Sequence, residues 1–385
     1  MIHRLFKPLK SQSFFLFGAR GTGKTYLLDR YLDPKHTLKI NLLDPEEQHL
    51  FSLDANELTQ RLESLDKSIT HIFIDEIQKV PKLLDLIHHF IETSNFKFAL
   101  TGSSARKLKR GGANLLAGRA FVYYLFPLTH SELDQTFNLT EVLQWGSLPK
   151  LLELKTPEEK QMYLKTYVNT YIKEEIAEEQ VVRKLDPFRK FLQIAAQMSG
   201  QIINYSKIGR EVGVDTKTVQ SYFKILEDTL IGTLVPPFHE SIRKRQFDNP
   251  KFYFFDTGVK RALDRTLSVP LLPQTYAFGN AFEHFIINEI IRLNHYSQVD
   301  YEISYLRTYD DAEIDLIVER PGRKRALIEI KSKERVTQDD LRHILSLKED
   351  ISNSEAYCFS RDPNPKKIEG VICLPWQKGL KEIGL

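Results

Sequence analysis

Apolar positions follow two different rhythms along this chain. In the first third, short runs that are apolar over their whole length (Phe14–Phe17, Leu38–Leu43, His71–Ile74, Phe96–Leu100 and Phe121–Leu125) alternate with longer amphipathic stretches. Strands without a polar face, separated by helix-sized connections, predict a parallel sheet covered on both sides. From residue 131 to 200 helical spacing dominates, as in Met162–Ile176 and Phe188–Met198. Tyr205–Ile231 then reads helix, turn, helix. Asp215 is placed to cap the second helix, and Val219, Tyr222, Phe223, Leu226 and Leu230 form its apolar face. A β-type stretch ends at Phe252–Phe255. Beyond a loop holding Pro270 and Pro273, a helix over Phe278–Leu293 leads into strands joined by tight turns. These changes of rhythm place boundaries at 1–130, 131–200, 201–262 and 263–385.

The first apolar run ends in Gly18-Ala19-Arg20-Gly21-Thr22-Gly23-Lys24-Thr25, which matches G-x-x-x-x-G-K-[ST] between a strand and a helix. Glycines let the chain curl so that its N–H groups surround phosphates, and the helix N-terminus adds positive potential. Lys24 then reaches the terminal phosphates and the Thr25 hydroxyl ligates Mg²⁺, which makes ATP and Mg²⁺ the expected cofactors. The third apolar run ends in Asp75-Glu76. Asp75 is placed to hold Mg²⁺ through its water shell, and Glu76 to polarise an attacking water. That water-activating carboxylate favours hydrolysis over a small-molecule kinase, which needs an acceptor site instead. The next strand ends in Thr101-Gly102-Ser103-Ser104-Ala105-Arg106, where a polar group or Arg106 would lie beside the last phosphate. Arg119 is a candidate arginine finger. Either arginine is equally readable as a surface charge.

On these motifs residues 1–130 resemble the prokaryotic AAA-type P-loop ATPases of the additional-strand, catalytic-Glu class. Tyr167–Glu175, Tyr222–Leu230, Phe252–Val259 and Phe278–Phe285 resemble the C-terminal region that accompanies such ATPases in one bacterial and archaeal family. Many such ATPases form rings and borrow an arginine from a neighbour. A homo-oligomer is thus one reading, while an arginine supplied in cis would allow a monomer, and the sequence leaves the oligomeric state open.

A second acidic set lies in the last segment. Asp315 sits in one apolar run, Glu329 and Lys331 in the next, and Pro321-Gly322 forms the turn between them. Residues two apart on a strand share a face, so Glu329 and Lys331 project together and Asp315 can join them. Two carboxylates would hold Mg²⁺ there, with Lys331 positioning water or offsetting developing charge. Glu283 falls at about 100° per residue within the apolar arc of Phe282, Ile286, Ile287 and Ile290, away from His284, Asn288 and Arg292. A carboxylate there is costly unless paired or metal-bound. Helix Glu, strand Asp and Glu-x-Lys together resemble the PD-(D/E)xK nuclease fold. The alternatives are an exposed charged hairpin and a nuclease fold that only binds.

Charge narrows the partner. Lys+Arg 54 against Asp+Glu 51 leaves +3, so a DNA partner has to be held by local patches. The helix–turn–helix and the β-type stretch after it resemble a winged helix. Residues 201–250 nevertheless hold seven Lys/Arg against six Asp/Glu, and only Arg243-Lys244-Arg245 reads as a contact patch. Two cysteines exclude a disulfide framework. No apolar run approaches the ~20 residues of a membrane span, so the expectation is a cytoplasmic protein with no membrane partner. The architecture expected is α/β: a P-loop AAA-type parallel sheet, a helical and winged-helix middle, and a C-terminal α/β PD-(D/E)xK-like domain. The function expected is ATP hydrolysis coupled to a metal-dependent nuclease-like domain acting on DNA. A nucleotide-dependent switch, whose C-terminal domain only binds a partner, is the alternative.

Overall fold

A computed structural model describes residues 2–9, 11–103, 116, 118–171, 185–239, 249–308 and 310–385. It divides into two compact units. One comprises residues 4–127 with 225–231, the other 1–3, 128–224 and 232–385. Among the described residues no helix is long and apolar enough to cross a membrane.

The first unit is built on a five-stranded sheet in the order β2-β3-β4-β1-β5, every neighbour parallel. Its strands are β1 (Ser13–Phe17), β2 (Thr37–Asn41), β3 (His71–Asp75), β4 (Lys97–Gly102) and β5 (Ala120–Tyr124). All five residues of β1 are buried, as a central strand covered on both faces requires. Phe15, Phe17, Phe51 and Phe98 fill a hydrophobic core cluster with Ile40, Ile72, Ile74 and Leu100. Each of the five apolar runs becomes a strand, displaced by a residue or two at its ends. Because β4 lies between β1 and β3, the chain leaves all three strands at one edge of the sheet, and the residues that follow them converge there.

The second unit holds helix pairs, a two-stranded ribbon and a six-stranded sheet. Tyr205–Val212 and Thr216–Asp228 are the two expected helices, and the Asp215 carboxylate accepts from the Thr218 N–H at 2.8 Å. They are followed by an antiparallel pair, β6 (Gly232–Val235) with β7 (Lys251–Phe254). Phe223 packs edge-on against Phe191 and Phe252, which seats the ribbon on these helices. The larger sheet has the order β12-β13-β11-β10-β9-β8. Its strands are β8 (Glu302–Arg307), β9 (Glu313–Glu319), β10 (Arg325–Lys331), β11 (Ser354–Ser360), β12 (Lys366–Ile368) and β13 (Val371–Pro375). β8, β9 and β10 run antiparallel, whereas β10, β11 and β13 run parallel.

One helix, α1 (Tyr276–Ser297), is the axis of this unit. The polar face set apart from the apolar arc is buried as well: His284, Asn288 and Arg292 are 4, 5 and 4% exposed. The reason lies at the end of β7, where the buried carbonyls of Phe254 and Phe255 need donors. His284 Nε2 and Asn288 Nδ2 donate to the Phe254 carbonyl. Arg292 donates to the carbonyls of Phe255 at 2.7 Å and Leu128 at 3.1 Å, and to the Ser147 hydroxyl at 3.1 Å. Glu289, fully buried, takes the Arg292 guanidinium at 3.5 Å and the His130 N–H at 3.0 Å. A helical wheel separates polar from apolar positions, but it cannot distinguish water from buried carbonyls as the partner of the polar ones.

Burial lowers the His284 imidazole to about 3. The unfolded chain binds that proton near pH 6.5, so stability from this site is full above pH 6.5 and is lost as pH falls toward 3. We expect His284→Gln, which keeps a donor for the Phe254 carbonyl, to flatten the acid side of the stability curve. Melting temperatures from pH 7 to pH 4 check this: parallel curves for wild type and variant would refute it.

Candidate functional site

The loop after β1 is held by its own strand neighbours. Gly18 lies so near the end of β5 that an added Cβ would stand 2.4 Å from the Leu125 carbonyl oxygen. Gly23, at φ +92°, forms the left-handed entry to the helix Lys24–Tyr31, a conformation that side chains resist. Thr22, completely buried, donates to the Ala19 carbonyl at 2.8 Å. Arg4 fastens the loop from outside by donating to the carbonyls of Thr22 at 2.9 Å and Phe126 at 2.6 Å. Arg20 and Gly21 are exposed at the tip.

Lys24 is 5% exposed and donates to the Gly18 carbonyl at 2.7 Å. Its ammonium stands 3.9 Å from Glu76 Oε1. The Thr25 hydroxyl donates to Asp75 Oδ2 at 2.7 Å, bringing together a hydroxyl and a carboxylate, the oxygen ligand types that hard divalent cations prefer. The other oxygen of Asp75 accepts from the Thr101 hydroxyl. Thr101 in turn accepts from the Glu76 N–H at 3.0 Å. Glu76 has a left-handed backbone, φ 59° and ψ 51°, a state that costs a non-glycine residue roughly 1–2 kcal/mol. Gln78 donates to the Glu76 carboxylate and, at 3.2 Å, to the Ser103 hydroxyl. At the end of β4, where sequence reasoning placed a polar group or Arg106, Thr101 bonds Asp75 and Glu76. Gln78 gave no signal. Arg119 is paired with Glu92 of the helix Leu83–Thr93, its Nε donating at 2.8 Å. Arg106 lies outside the described residues, as do Arg243, Lys244 and Arg245.

The second constellation forms where β9 and β10 diverge. Asp315 Oδ2 accepts from the Ile330 N–H at 2.7 Å. On the next strand Glu329 Oε1 accepts from Lys331 Nζ, and Oε2 is buried with no hydrogen-bond partner. Glu283, on α1, accepts from the Tyr253 hydroxyl at 2.8 Å. Three residues not anticipated complete the group: Tyr253 and Lys251 from β7, and Glu313 from β9. Lys251, 3% exposed, is paired with Glu313 and stands 3.9 Å from Glu283 Oε1.

Crowded acids in a dry place resist ionisation. Burial and then Asp315 raise Glu283 to about 7, and the same two causes raise Glu329 to about 8. Burial also lifts Asp315 above its ordinary value, against the pull of Lys331 and Lys251. Burial would lower Lys331, but Glu329 and Asp315 outweigh it and hold the ammonium charged. Among the described residues no group of three or more His, Cys, Asp and Glu side chains is arranged to hold a metal ion.

Comparison with known families bears on the first of these sites. Residues 10–134 match an AAA domain. This stretch, with its five parallel strands, is the AAA-type ATPase domain of the chain. Residues 136–269 and 278–378 match two domains of unknown function (DUF8612 and DUF4143). The uncharacterized protein Rv2008c of Mycobacterium tuberculosis is 26% identical over 276 residues, which are 70% of this chain and 61% of that protein. This chain therefore spans about three fifths of the length of that curated relative. The uncharacterized protein MJ1544 of Methanocaldococcus jannaschii is 21% identical over 368 residues, 89% of this chain and 82% of its own. Among solved structures, the Aeropyrum pernix ORC1 protein in complex with DNA aligns at 14% identity with a TM-score of 0.26. That alignment covers 68% of this chain and 87% of that one, and a score so low supports no shared overall fold.

Proposed function

We propose that the AAA-type domain hydrolyses ATP and that its nucleotide state is coupled to a metal-dependent, nuclease-like site in the C-terminal region acting on DNA. For the first half, the observation that carries the reading is the Thr25–Asp75 hydrogen bond beside a buried Lys24. Thr25 and Asp75 would hold Mg²⁺, which supplies charge neutralisation of the phosphates when bound. Lys24 would turn from the Gly18 carbonyl to the terminal phosphates. Glu76, aimed by its left-handed backbone and by Gln78, would polarise the attacking water. Arg119, released from Glu92, and Arg106 are the candidates for completing the charge around the last phosphate.

For the second half, the supporting observation is Glu329: a buried carboxylate with one oxygen on Lys331 and the other unpartnered. An orphaned buried oxygen is costly unless something takes it up. Glu329 and Asp315 would hold one divalent cation whose shell is completed by water and substrate oxygens, as Mg²⁺ prefers. Lys331 would position the attacking water or offset charge on the phosphodiester, and Glu283 would assist as a neighbouring acid. The helix–turn–helix with its β6–β7 ribbon supports a winged-helix reading, in which Thr216–Asp228 faces a DNA groove. ATP, Mg²⁺ and DNA are the ligands proposed, and a homo-oligomer is the assembly in which Arg119 of one copy would reach the next.

A second reading is favoured by the ammonium already seated on Glu329: a nucleotide-dependent switch whose C-terminal domain binds a partner and cuts nothing. Lys331→Ala separates the two. The nuclease reading expects Mn²⁺-dependent cleavage of a DNA panel to fall at least 100-fold with ATPase unchanged. If wild type cuts no DNA and the variant changes only partner assembly, the switch is correct.

A further inference from the structure

A cavity of about 560 Å³ opens in the second unit between the helices Pro157–Thr166, Leu185–Gln197 and Thr257–Leu263. No residue of the ATPase loop or of the C-terminal acidic group is among its lining residues, and its size is that of a small-molecule site. The lining has two characters. Val168, Leu192 and Leu267 are apolar and buried. Lys165, Arg189 and Arg265 are exposed, and each comes from a different segment of the chain.

Three cations facing one cavity repel one another unless an anion lies among them. No Asp or Glu is found among the described lining residues. Arg189 has Asp186 at 3.3 Å, outside the lining, in an exposed pair of the kind that contributes little. Lys165 and Arg265 form no ion pair among the described residues. Arg265 also has a left-handed backbone, φ 62°, which glycine would adopt more cheaply. The loop that carries it is tied down. Gln144 donates to the Leu267 carbonyl at 3.0 Å and accepts from the Leu271 N–H at 3.1 Å, and Arg261 donates to the carbonyls of Thr266 and Val269. A loop already fixed loses little freedom when it takes a ligand.

We propose that this cavity is a second nucleotide site, separate from the ATPase loop, with the phosphate on Lys165, Arg189 and Arg265 and the base against Val168, Leu192 and Leu267. Arginine offers phosphate a planar fork of donors, and lysine adds a point charge. A free phosphate ion would leave the apolar lining unused, and an uncharged ligand would leave the cations facing one another, so the ligand joins both characters in one molecule. Gln161 and Gln193 also line the cavity. Their amides suit the edge of a base, which has donors and acceptors, and not a hydrocarbon tail.

Calorimetric titration of the full chain with AMP tests this. AMP lacks the terminal phosphates assigned to Lys24, so it reports on the cavity and not on the ATPase loop. One AMP per chain is expected, bound equally well by Lys24→Ala. Lys165→Gln together with Arg265→Gln should weaken binding at least about 10-fold, as loss of charge-assisted hydrogen bonds does. Both side chains are exposed and outside any described ion pair, so the double variant is expected to fold. Adenosine and inorganic phosphate should each bind more weakly than AMP. No AMP bound, or AMP bound with unchanged affinity by the double variant, would overturn the proposal. So would loss of AMP binding in Lys24→Ala, which would put the ligand in the ATPase loop. Inorganic phosphate bound as tightly as AMP would overturn the nucleotide assignment, because the apolar lining would then contribute nothing.

Discussion

Lys24→Ala is expected to abolish ATP hydrolysis together with tight ATP binding, and Glu76→Gln to slow hydrolysis about 10²–10⁴-fold while ATP stays bound. The difference follows from what each side chain does. Lys24 is a buried ammonium whose only carbonyl contact among the described bonds is Gly18, in the loop itself. A phosphate is a far better acceptor than that carbonyl, because both partners would be charged. Removing the ammonium removes binding and transition-state stabilisation at once. Glu76 is different. Its backbone is pinned by Thr101 and its carboxylate by Gln78, so glutamine fits the same place but cannot draw a proton from water. Fluorescent-nucleotide binding alongside phosphate release separates the two effects. Equal loss of binding in both variants would show that Glu76 holds nucleotide and does not activate water.

Arg292→Met is expected to cost about 3–5 kcal/mol of stability, the loss typical when one partner of a buried ion pair is removed. The guanidinium is 4% exposed and serves Leu128, Ser147, Phe255 and Glu289 at once. Methionine fills much of the volume but leaves two carbonyls, a hydroxyl and a buried carboxylate without that donor. Chemical denaturation of the full chain, followed by a probe in residues 128–385, measures it. A change below ~1 kcal/mol would mean that water or His130 takes over these acceptors.

The place of Lys24 in the loop after β1 was legible in the sequence because the motif of glycines and one lysine has a fixed, local spacing. Asp75 and Glu76 were legible for a related reason: a fully apolar strand ending in two acids has few other uses in a parallel sheet. The five apolar runs likewise became β1–β5, since a strand buried on both faces carries its environment in its composition. Arg292, Lys251 and Gln78 were not legible. Each is defined by a partner distant in the chain or by a backbone twist, such as the carbonyls at the end of β7, Glu283 on α1, and Glu76 at φ 59°. No local pattern records those. Glu283 was singled out on its helical arc and on the pattern it makes with Asp315, Glu329 and Lys331. Since the His284–Asn288–Arg292 face is buried too, the arc alone does not set it apart, and its partners Tyr253 and Lys251 left no local signal.

The proposed function requires two separate cation-assisted centres in one polypeptide. Crystals of the full chain soaked with a non-hydrolysable ATP analogue and Mn²⁺, with anomalous difference maps recorded, would reveal both at once. One manganese peak is expected between Thr25, Asp75 and the terminal phosphates, and a second against Asp315 and Glu329 Oε2. A peak at the first place alone, with Lys331 still seated on Glu329, would contradict the second centre and leave an ATPase whose C-terminal domain binds without cutting.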